Sequence, residues 1–205
     1  MITVEEASRF YLENDAAHDF DHVLRVLALA ERIGQAEGAD LEIVRAAALL
    51  HDVARADEEG SSTCHAQAGA QRAREILHGY PPEKVEAVAQ AIATHRFREK
   101  SIPQTLEAQV LYDADKLDAI GAIGVARAYA VSGQMGQRLW GPVPADYRGE
   151  AQGTPEHTAV HEFVFKLSRL KGTLFTPTAK AIAAERHRYM VKFFARLERE
   201  VKGER

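Results

Sequence analysis

The sequence predicts an all-α protein that forms a single domain, and three observations support this prediction. Apolar residues recur along most of the chain at the three- and four-residue spacing of amphipathic helices. No segment alternates apolar and polar residues in the way that a half-buried β-strand requires. The 205 residues, 46% hydrophobic and 27% charged, have the composition of an ordinary globular protein and are numerous enough to bury a substantial core.

Helix-starting residues divide the first half of the chain into elements. Thr3 with Glu6 three residues later forms a capping box, and Asp40 is an N-cap residue. The predicted helices of this half run from Thr3 to about Asn14, from Asp19 to Gly34 or Gly38, from Asp40 to Asp52, from Ser62 or Thr63 to about Leu77, and from Pro81–Pro82 to about His95.

The second half begins with a helix that Thr105 opens and that we expect to pass through Asp115 and Asp118 to about Ser132. The segment Gly133–Thr154 then carries five glycines, two prolines and the only tryptophan. An irregular segment of this length in a compact domain is commonly a lid or another functional loop.

Two further helices are expected after this loop, over residues 156–171 and 177–200. The expected organisation is therefore a helical core over residues 1–132, a loop that can serve as a lid over 133–155, and a C-terminal part over 156–205. We expect the C-terminal helices to pack on the core as part of the same domain.

Charge and composition restrict the partners. A net charge of -4 gives no electrostatic reason to expect binding to a nucleic-acid polymer, although it excludes no small anionic ligand. A single cysteine, Cys64, rules out an intramolecular disulfide. The first residues lack the basic and apolar regions of a signal peptide, and no apolar run approaches the roughly 18 residues that span a bilayer. We therefore expect a cytoplasmic protein without a membrane partner, and the sequence is compatible with a homodimer.

The most informative feature is the pair His51–Asp52, which ends the apolar stretch Ile43–Leu50. Burying an imidazole or a carboxylate without a partner is costly, so a partner is expected. A divalent metal ion satisfies a neutral histidine and an ionised aspartate at once. Another histidine, His22, lies at the start of an apolar helix, and Asp115 lies inside another, where carboxylates are rare without a partner.

These residues supply two nitrogen and two oxygen ligands from three segments of the chain: His22, His51, Asp52 and Asp115. A mixed set of this kind suits Mn, Co, Ni, Fe or Zn, and Mg less well, and we favour Mn. An ion that prefers six ligands keeps two positions for water and a substrate oxygen, and it lowers the pKa of that water. A zinc peptidase is not favoured, because the segment His18–His22 has the two-histidine spacing but Asp19 where such motifs have Glu.

The residues around these positions resemble a known family, the HD-domain metal-dependent phosphohydrolases. The order His22, His51–Asp52, Asp115 is the family pattern, and the flanking segments are similar to a bacterial branch that acts on nucleotides. Those segments, with a C-terminal stretch that also matches, are His18–Val26, Ala47–Ala54, Asp113–Gly124 and Glu185–Met190.

The resemblance implies a helical HD-domain bundle in which these four residues bind the metal. It also implies the reaction: metal-activated water attacks phosphorus in a nucleotide. In the branch that this chain resembles, the expected reaction converts a nucleoside or deoxynucleoside triphosphate into a monophosphate and pyrophosphate.

A phosphate substrate needs cations around it, because charge spreads over its nonbridging oxygens in the transition state. We expect Arg55, Lys116 and Arg96 to hold the phosphates. Two histidines between the metal residues, His65 and His95, occupy places where some relatives bind a second metal or the phosphate, and we assign them to substrate contact.

The expected catalytic residues are Asp52, Lys116 and Asp118. Asp118 lies one helical turn beyond Asp115 and could orient it or hydrogen-bond His51. The acidic run 57–59 is expected to be a solvated loop.

Three alternatives stay open. A 5'-nucleotidase or a cyclic-nucleotide phosphodiesterase would use the same metal residues on a different phosphate ester. A non-catalytic module would sense a nucleotide without hydrolysing it. A di-iron oxygenase on the same fold would need both His65 and His95 as metal ligands.

Overall fold

The structure, a computed structural model, describes residues 1–11, 20–55, 65–96 and 102–204. These ranges contain nine α-helices, one 3-10 helix and no strand, so the prediction of an all-α fold is confirmed. The α-helices are α1 (Val4–Ser8), α2 (Phe20–Glu37), α3 (Leu41–Leu50), α4 (His65–Ile76), α5 (Pro82–Ala93), α6 (Leu106–Asp118), α7 (Gly121–Gln134), α8 (Ala159–Phe165) and α9 (Pro177–Val201), and the 3-10 helix is Leu167–Gly172.

Contacts between residues group the chain into two compact units. The first consists of Met1–Asp115 with Phe175–Ala179, and the second of Lys116–Leu174 with Lys180–Arg205. The boundaries expected from composition, at residues 132 and 155, stay predictions.

The first unit is built around α3, whose neighbours are α1, α2 and α5, while α4 packs along α5. The apolar stripe of α2 is buried as its spacing predicts, with Val23, Val26 and Ile33 fully buried. Gly38 ends α2 in a left-handed conformation, with φ at 80°, as a helix C-terminus often requires. Asp40 caps α3 as predicted, because its carboxylate accepts a hydrogen bond from the backbone N–H of Glu42 at 2.9 Å.

A buried carboxylate holds the segment Phe175–Ala179 to α6 within this unit. Asp113 is fully buried and accepts hydrogen bonds from the backbone N–H groups of Phe175 at 2.9 Å and Thr176 at 2.7 Å. The hydroxyl of Thr176 donates a third, at 2.7 Å. Because these bonds satisfy a charge that would otherwise be costly to bury, they fix the end of α6 that carries Asp115.

The second unit contains a partly buried chain of hydrogen-bonded side chains. The hydroxyl of Tyr147 lies 2.6 Å from Nδ1 of His157, whose Nε2 lies 3.0 Å from the Glu162 carboxylate. Lys166 donates to the other oxygen of Glu162 at 2.8 Å. These bonds attach the irregular chain after α7 to α8.

Three predicted helix boundaries are wrong. The first helix has the predicted capping box but ends at Ser8, well before Asn14. The helix expected from Thr105 to Ser132 is two helices, because Gly121 has a φ of 82° that a continuous helix cannot contain.

The third wrong boundary concerns the helix expected over 156–171. It is replaced by α8 and the 3-10 helix, with Lys166 at φ -126° and ψ -58° between them. Several residues of the sequence predictions lie outside the described residues: His18, Asp19, the acidic run 57–59, the helix start predicted at Ser62 or Thr63, and Cys64. None of the helices in the described ranges combines the length and apolar composition needed to cross a lipid bilayer.

Candidate metal centre

Four helix ends bring a buried cluster together in the first unit. His22 lies in the first turn of α2, His51 directly follows α3, His65 begins α4, and His95 follows α5. All four imidazoles are buried, and so is Asp52, which follows His51. The apolar stretch Ile43–Leu50 forms the buried helix α3, so the pair His51–Asp52 emerges at its C-terminal end inside the protein.

Asp52 lies between the four imidazoles, and each of its two carboxylate oxygens is near two of them. Oδ2 is 3.8 Å from Nε2 of His22 and 3.8 Å from Nε2 of His51. Oδ1 is 3.7 Å from Nε2 of His65 and 3.7 Å from Nε2 of His95. The carboxylate is therefore shared by two groups of donors, His22–His51–Asp52 and Asp52–His65–His95.

Backbone hydrogen bonds orient two of these rings. Nδ1 of His51 lies 2.8 Å from the carbonyl of Ala48, and Nδ1 of His95 lies 2.6 Å from the carbonyl of Ile92. Because a carbonyl only accepts, Nδ1 carries the proton in each ring. In the neutral ring Nε2 then carries a lone pair, and this atom faces Asp52. Such a hydrogen bond on the remote nitrogen is typical of histidines that bind metals.

The charge states are set by burial and by the neighbouring groups. Burial, opposed by the charge of Asp52, lowers the pKa of His51 to about 4, so this imidazole is neutral at physiological pH. Burial alone would raise the pKa of Asp52, but the imidazoles of His51 and His95 and the guanidinium of Arg55 hold it well below its usual range. The cluster therefore presents an anionic oxygen pair and at least one neutral nitrogen.

Two observations show that the cluster fits a divalent ion. Oδ1 of Asp52 is buried and has no hydrogen-bond partner within the part of the chain that the structure describes. Nε2 of His51 lies 3.3 Å from Nε2 of His22, so the two nitrogens are close enough to share one ion. Two donor atoms that bind one ion at about 2.1 Å lie roughly 3–4 Å apart. A cation on the His22–His51 side would bind these two nitrogens, and one on the His65–His95 side would bind Oδ1.

Asp115 and Arg55 border the same cluster. Oδ1 of Asp115 is 3.6 Å from Nε2 of His22, and the side chain is 18% exposed, so it lies on the open side of the cluster. Nη1 of Arg55 is 3.6 Å from Oδ2 of Asp52, with the side chain 31% exposed. The Arg55 guanidinium and the Asp115 carboxylate thus lie beside the buried Asp52, where a ligand from solvent can reach them.

The other residues expected in the site have different surroundings. Lys116 and Asp118 belong to the second unit, where Asp118 accepts a hydrogen bond from Arg127 at 3.0 Å. Lys116 is 9% exposed, and Arg96 is half-buried directly after His95. Their roles in substrate binding or catalysis stay predictions.

The close approach of His65 and His95 to Asp52 is the feature that the sequence indicated least clearly. A signal was available in the spacing: His65 shares a buried stripe with Gly69 and Ala73, four and eight residues later. His95 follows the buried Val88 and Ile92 of α5 in the same way. A polar residue that continues an apolar stripe is expected to be buried and to need a partner.

Comparisons with known proteins identify the family of this chain. A family model of the HD domain matches residues 19–120. YpgQ of Bacillus subtilis is 35% identical over 195 residues, which cover 93% of this chain and 88% of that protein. Its crystal structure superposes with a TM-score of 0.76 and 31% identity over 98% of this chain and 96% of that chain.

Further crystal structures are similar over nearly their whole length. An HD-superfamily hydrolase from Bacillus thuringiensis has a TM-score of 0.75 and 32% identity, covering 98% of this chain and 95% of that chain. YpgQ has also been crystallised in complex with ADP, and that structure has a TM-score of 0.75 and 32% identity over 98% of this chain and 99% of that chain. With the His–Asp cluster at the ends of its helices and relatives that match nearly the whole chain, the protein belongs to the HD-domain family and is a hydrolase of the HD superfamily.

Proposed function

We propose that the protein is a metal-dependent phosphohydrolase that hydrolyses a nucleoside or deoxynucleoside triphosphate to the monophosphate and pyrophosphate. The observation that carries this proposal is the buried Asp52 carboxylate among four imidazoles, with Arg55 beside it. In the reaction a water oxygen bonds to the α-phosphorus, the bond from that phosphorus to the bridging oxygen breaks, and the pyrophosphate leaves with the electron pair. One proton is released to solvent.

The proposed ligands of the ion are His22, His51, Asp52 and Asp115. A bound divalent ion, with Mn²⁺ favoured, would supply the Lewis acidity that activates water and polarises a phosphate oxygen. The chain itself holds the donors in place: the carbonyl of Ala48 fixes the ring of His51. Because burial keeps this imidazole neutral, no proton must leave before it can bind a cation.

Arg55 is the first of three proposed phosphate-binding residues. Its guanidinium lies beside Asp52 and is partly exposed, so it can pair with a nonbridging oxygen as charge develops there. We assign Arg96 and Lys116 to the remaining phosphate oxygens, and Asp118 to a supporting role in catalysis. A nucleotide substrate is supported by the ADP that a related protein binds in its crystal structure.

His65 and His95 admit a second assignment, as ligands of a second ion on Oδ1 of Asp52. The donor distances on this side, both 3.7 Å, are close to those on the other side. In that case Asp52 would bridge two ions. If only one ion binds, these imidazoles contact the substrate as expected from the sequence.

The test is a panel of nucleotides incubated with the Mn²⁺- or Co²⁺-loaded protein, with the release of phosphate and pyrophosphate measured separately. Pyrophosphate and a monophosphate are the expected products, and Asp52→Asn should abolish their release. The matched control is Asp40→Asn at the opposite end of α3, because asparagine caps a helix as well as aspartate does. A loaded protein that releases nothing from any nucleotide would contradict the catalytic proposal.

The same panel separates the alternatives. Phosphate released from monophosphates indicates a 5'-nucleotidase, and opening of a cyclic nucleotide indicates a phosphodiesterase. Tight binding without turnover indicates a sensing module. The di-iron oxygenase needs His65 and His95 beside the metal residues, and their distances to Asp52 meet that condition. It predicts a visible absorption band that changes when the Fe²⁺-loaded protein meets oxygen.

A further inference from the structure

Tyr11 is a buried residue of the first unit that contacts the elements on both sides of the metal centre. Its hydroxyl lies 2.9 Å from the carbonyl oxygen of Leu49 in the last turn of α3. Its ring lies 5.4 Å from the ring of Phe20, the first residue of α2. One side chain therefore joins the end of α3, which leads into His51–Asp52, to the start of α2, which carries His22.

The bond to Leu49 completes the hydrogen bonding of the last turn of α3. Carbonyls at a helix C-terminus have no partner inside the helix and need one elsewhere. The carbonyl of Ala48 accepts from Nδ1 of His51, and the carbonyl of Leu50 accepts from the N–H of Val53 at 3.2 Å. Leu49 lies between them, is 2% exposed, and accepts from Tyr11. Without the hydroxyl, a buried carbonyl next to the His51 ring would lose this partner.

The environment of the Tyr11 hydroxyl favours its protonated form, which can donate a hydrogen bond. Burial, followed by the negative charge of Asp52, raises the pKa of Tyr11 well above its ordinary value. The ring lies in an apolar cluster with Ala7, Val23 and Leu49, against which Phe20 and Val53 pack. Phe20 and Val53 each lie within two residues of a metal-centre residue, so the cluster is continuous with the site along both segments.

From these contacts we infer that Tyr11 is a positioning residue, which sets the His22 end of α2 against the His51–Asp52 turn. This inference rests on the proposed function, because it assigns Tyr11 to the geometry of the proposed metal centre. It predicts that loss of one hydroxyl, with the ring retained, moves the imidazoles of His22 and His51 and weakens cation binding.

The test compares wild type, Tyr11→Phe and Tyr129→Phe. Tyr129 is a matched control because its hydroxyl is buried in the second unit without a hydrogen-bond partner in the described chain. Long-range ¹H–¹⁵N spectra of histidine-labelled, metal-free protein report the tautomer and surroundings of each imidazole. Zn²⁺ titration then measures affinity, using the cation alone as the probe.

We expect Tyr11→Phe to shift the His22 and His51 signals and to lower Zn²⁺ affinity about tenfold, the lower end of the effect of losing a residue that supports a metal ligand. Tyr129→Phe should match wild type in both measurements. Phe20→Leu tests the ring contact separately and should shift the His22 signal.

The inference is overturned if Tyr11→Phe melts at a lower temperature but leaves the His22 and His51 signals and the Zn²⁺ affinity unchanged. Tyr11 would then be a core residue only. A wild-type protein that takes up no divalent cation would contradict the proposed function instead. The metal-free spectra would still decide whether Tyr11 positions the two imidazoles.

Discussion

Replacing Asp52 with asparagine should disable both sides of the metal centre at once. Each oxygen of Asp52 lies within 3.8 Å of two imidazole nitrogens, so the carboxylate is the one group that the two donor sets share. Asparagine has nearly the same shape but carries no charge, and its NH₂ group cannot bind a cation. The substitution therefore tests the shared carboxylate with little change in packing.

The size of the effect follows from burial. At an effective dielectric constant of about 20, a carboxylate oxygen next to a divalent ion is attracted by more than about 10 kcal/mol, most of which desolvation offsets. Removing one partner from a buried ion pair costs about 3–5 kcal/mol. Because about 1.4 kcal/mol corresponds to a factor of ten, cation affinity should fall at least about a hundredfold.

Isothermal titration with Mn²⁺ and Zn²⁺, with elemental analysis of the purified protein, measures this loss. Wild type and Asp40→Asn should bind with the same stoichiometry and affinity, because Asp40 lies at the far end of α3. If Asp52→Asn bound cations within threefold of wild type, the reasoning from the shared carboxylate would be refuted. A loss of one ion out of two would show instead that Asp52 serves one donor set.

Three further predictions concern residues around and outside this cluster. Arg55→Gln should raise the KM for a nucleotide about tenfold and change cation affinity less, because the ion pair that is lost, of about 1–2 kcal/mol, would be with a phosphate. Steady-state kinetics measures the KM, and Zn²⁺ titration measures the cation affinity. A fall in cation affinity as large as the rise in KM would refute this prediction. Asp113→Ala should lower the free energy of unfolding by about 3–5 kcal/mol in urea titration, since three donors lose their acceptor. Thr176→Val removes only one of these donors and should lower it by about 1–2 kcal/mol. Equal losses in the two variants would contradict the reasoning from the number of hydrogen bonds. Burial would raise the pKa of Glu162, but Lys166 and His157 lower it below the ordinary value of 4.5. The ion pairs of Glu162 therefore stabilise the protein fully above pH 4.5. This stabilisation is lost as the pH falls through the lowered pKa. The difference in melting temperature between wild type and Glu162→Gln should therefore close in acid, and a constant difference would show that the charge contributes nothing.

The helical character of the chain, some of its helix caps and its buried stripes could be predicted because they depend on neighbours a few residues apart. The capping box at Thr3, the cap at Asp40 and the buried face of α2 follow from spacing alone. The break at Gly121 could not be predicted, because a glycine inside a helical pattern is compatible with either outcome. In the structure this glycine has a positive φ, and a Cβ added to it would lie 2.9 Å from Cγ of Arg186.

Two aspartates of α6, two residues apart, show which features of the site could be predicted from the sequence and which could not. The sequence pattern singled out Asp115, which lies 3.6 Å from His22. It did not indicate that Asp113 accepts three hydrogen bonds from a segment more than 60 residues away. Both are carboxylates in an apolar helix, so only the partner distinguishes them, and that partner is distant in the chain.

By itself the sequence determined the helical character of the chain, the His51–Asp52 pair at the end of an apolar helix and the family pattern, because these depend on residue type and local spacing. Only the tertiary structure decided that His65 and His95 join Asp52, that Tyr11 reaches the end of α3, and that Asp113 has a structural partner. The physical reason is that the ends of separate helices meet through packing. Which side chains then lie within 4 Å of each other is set by contacts across the whole fold.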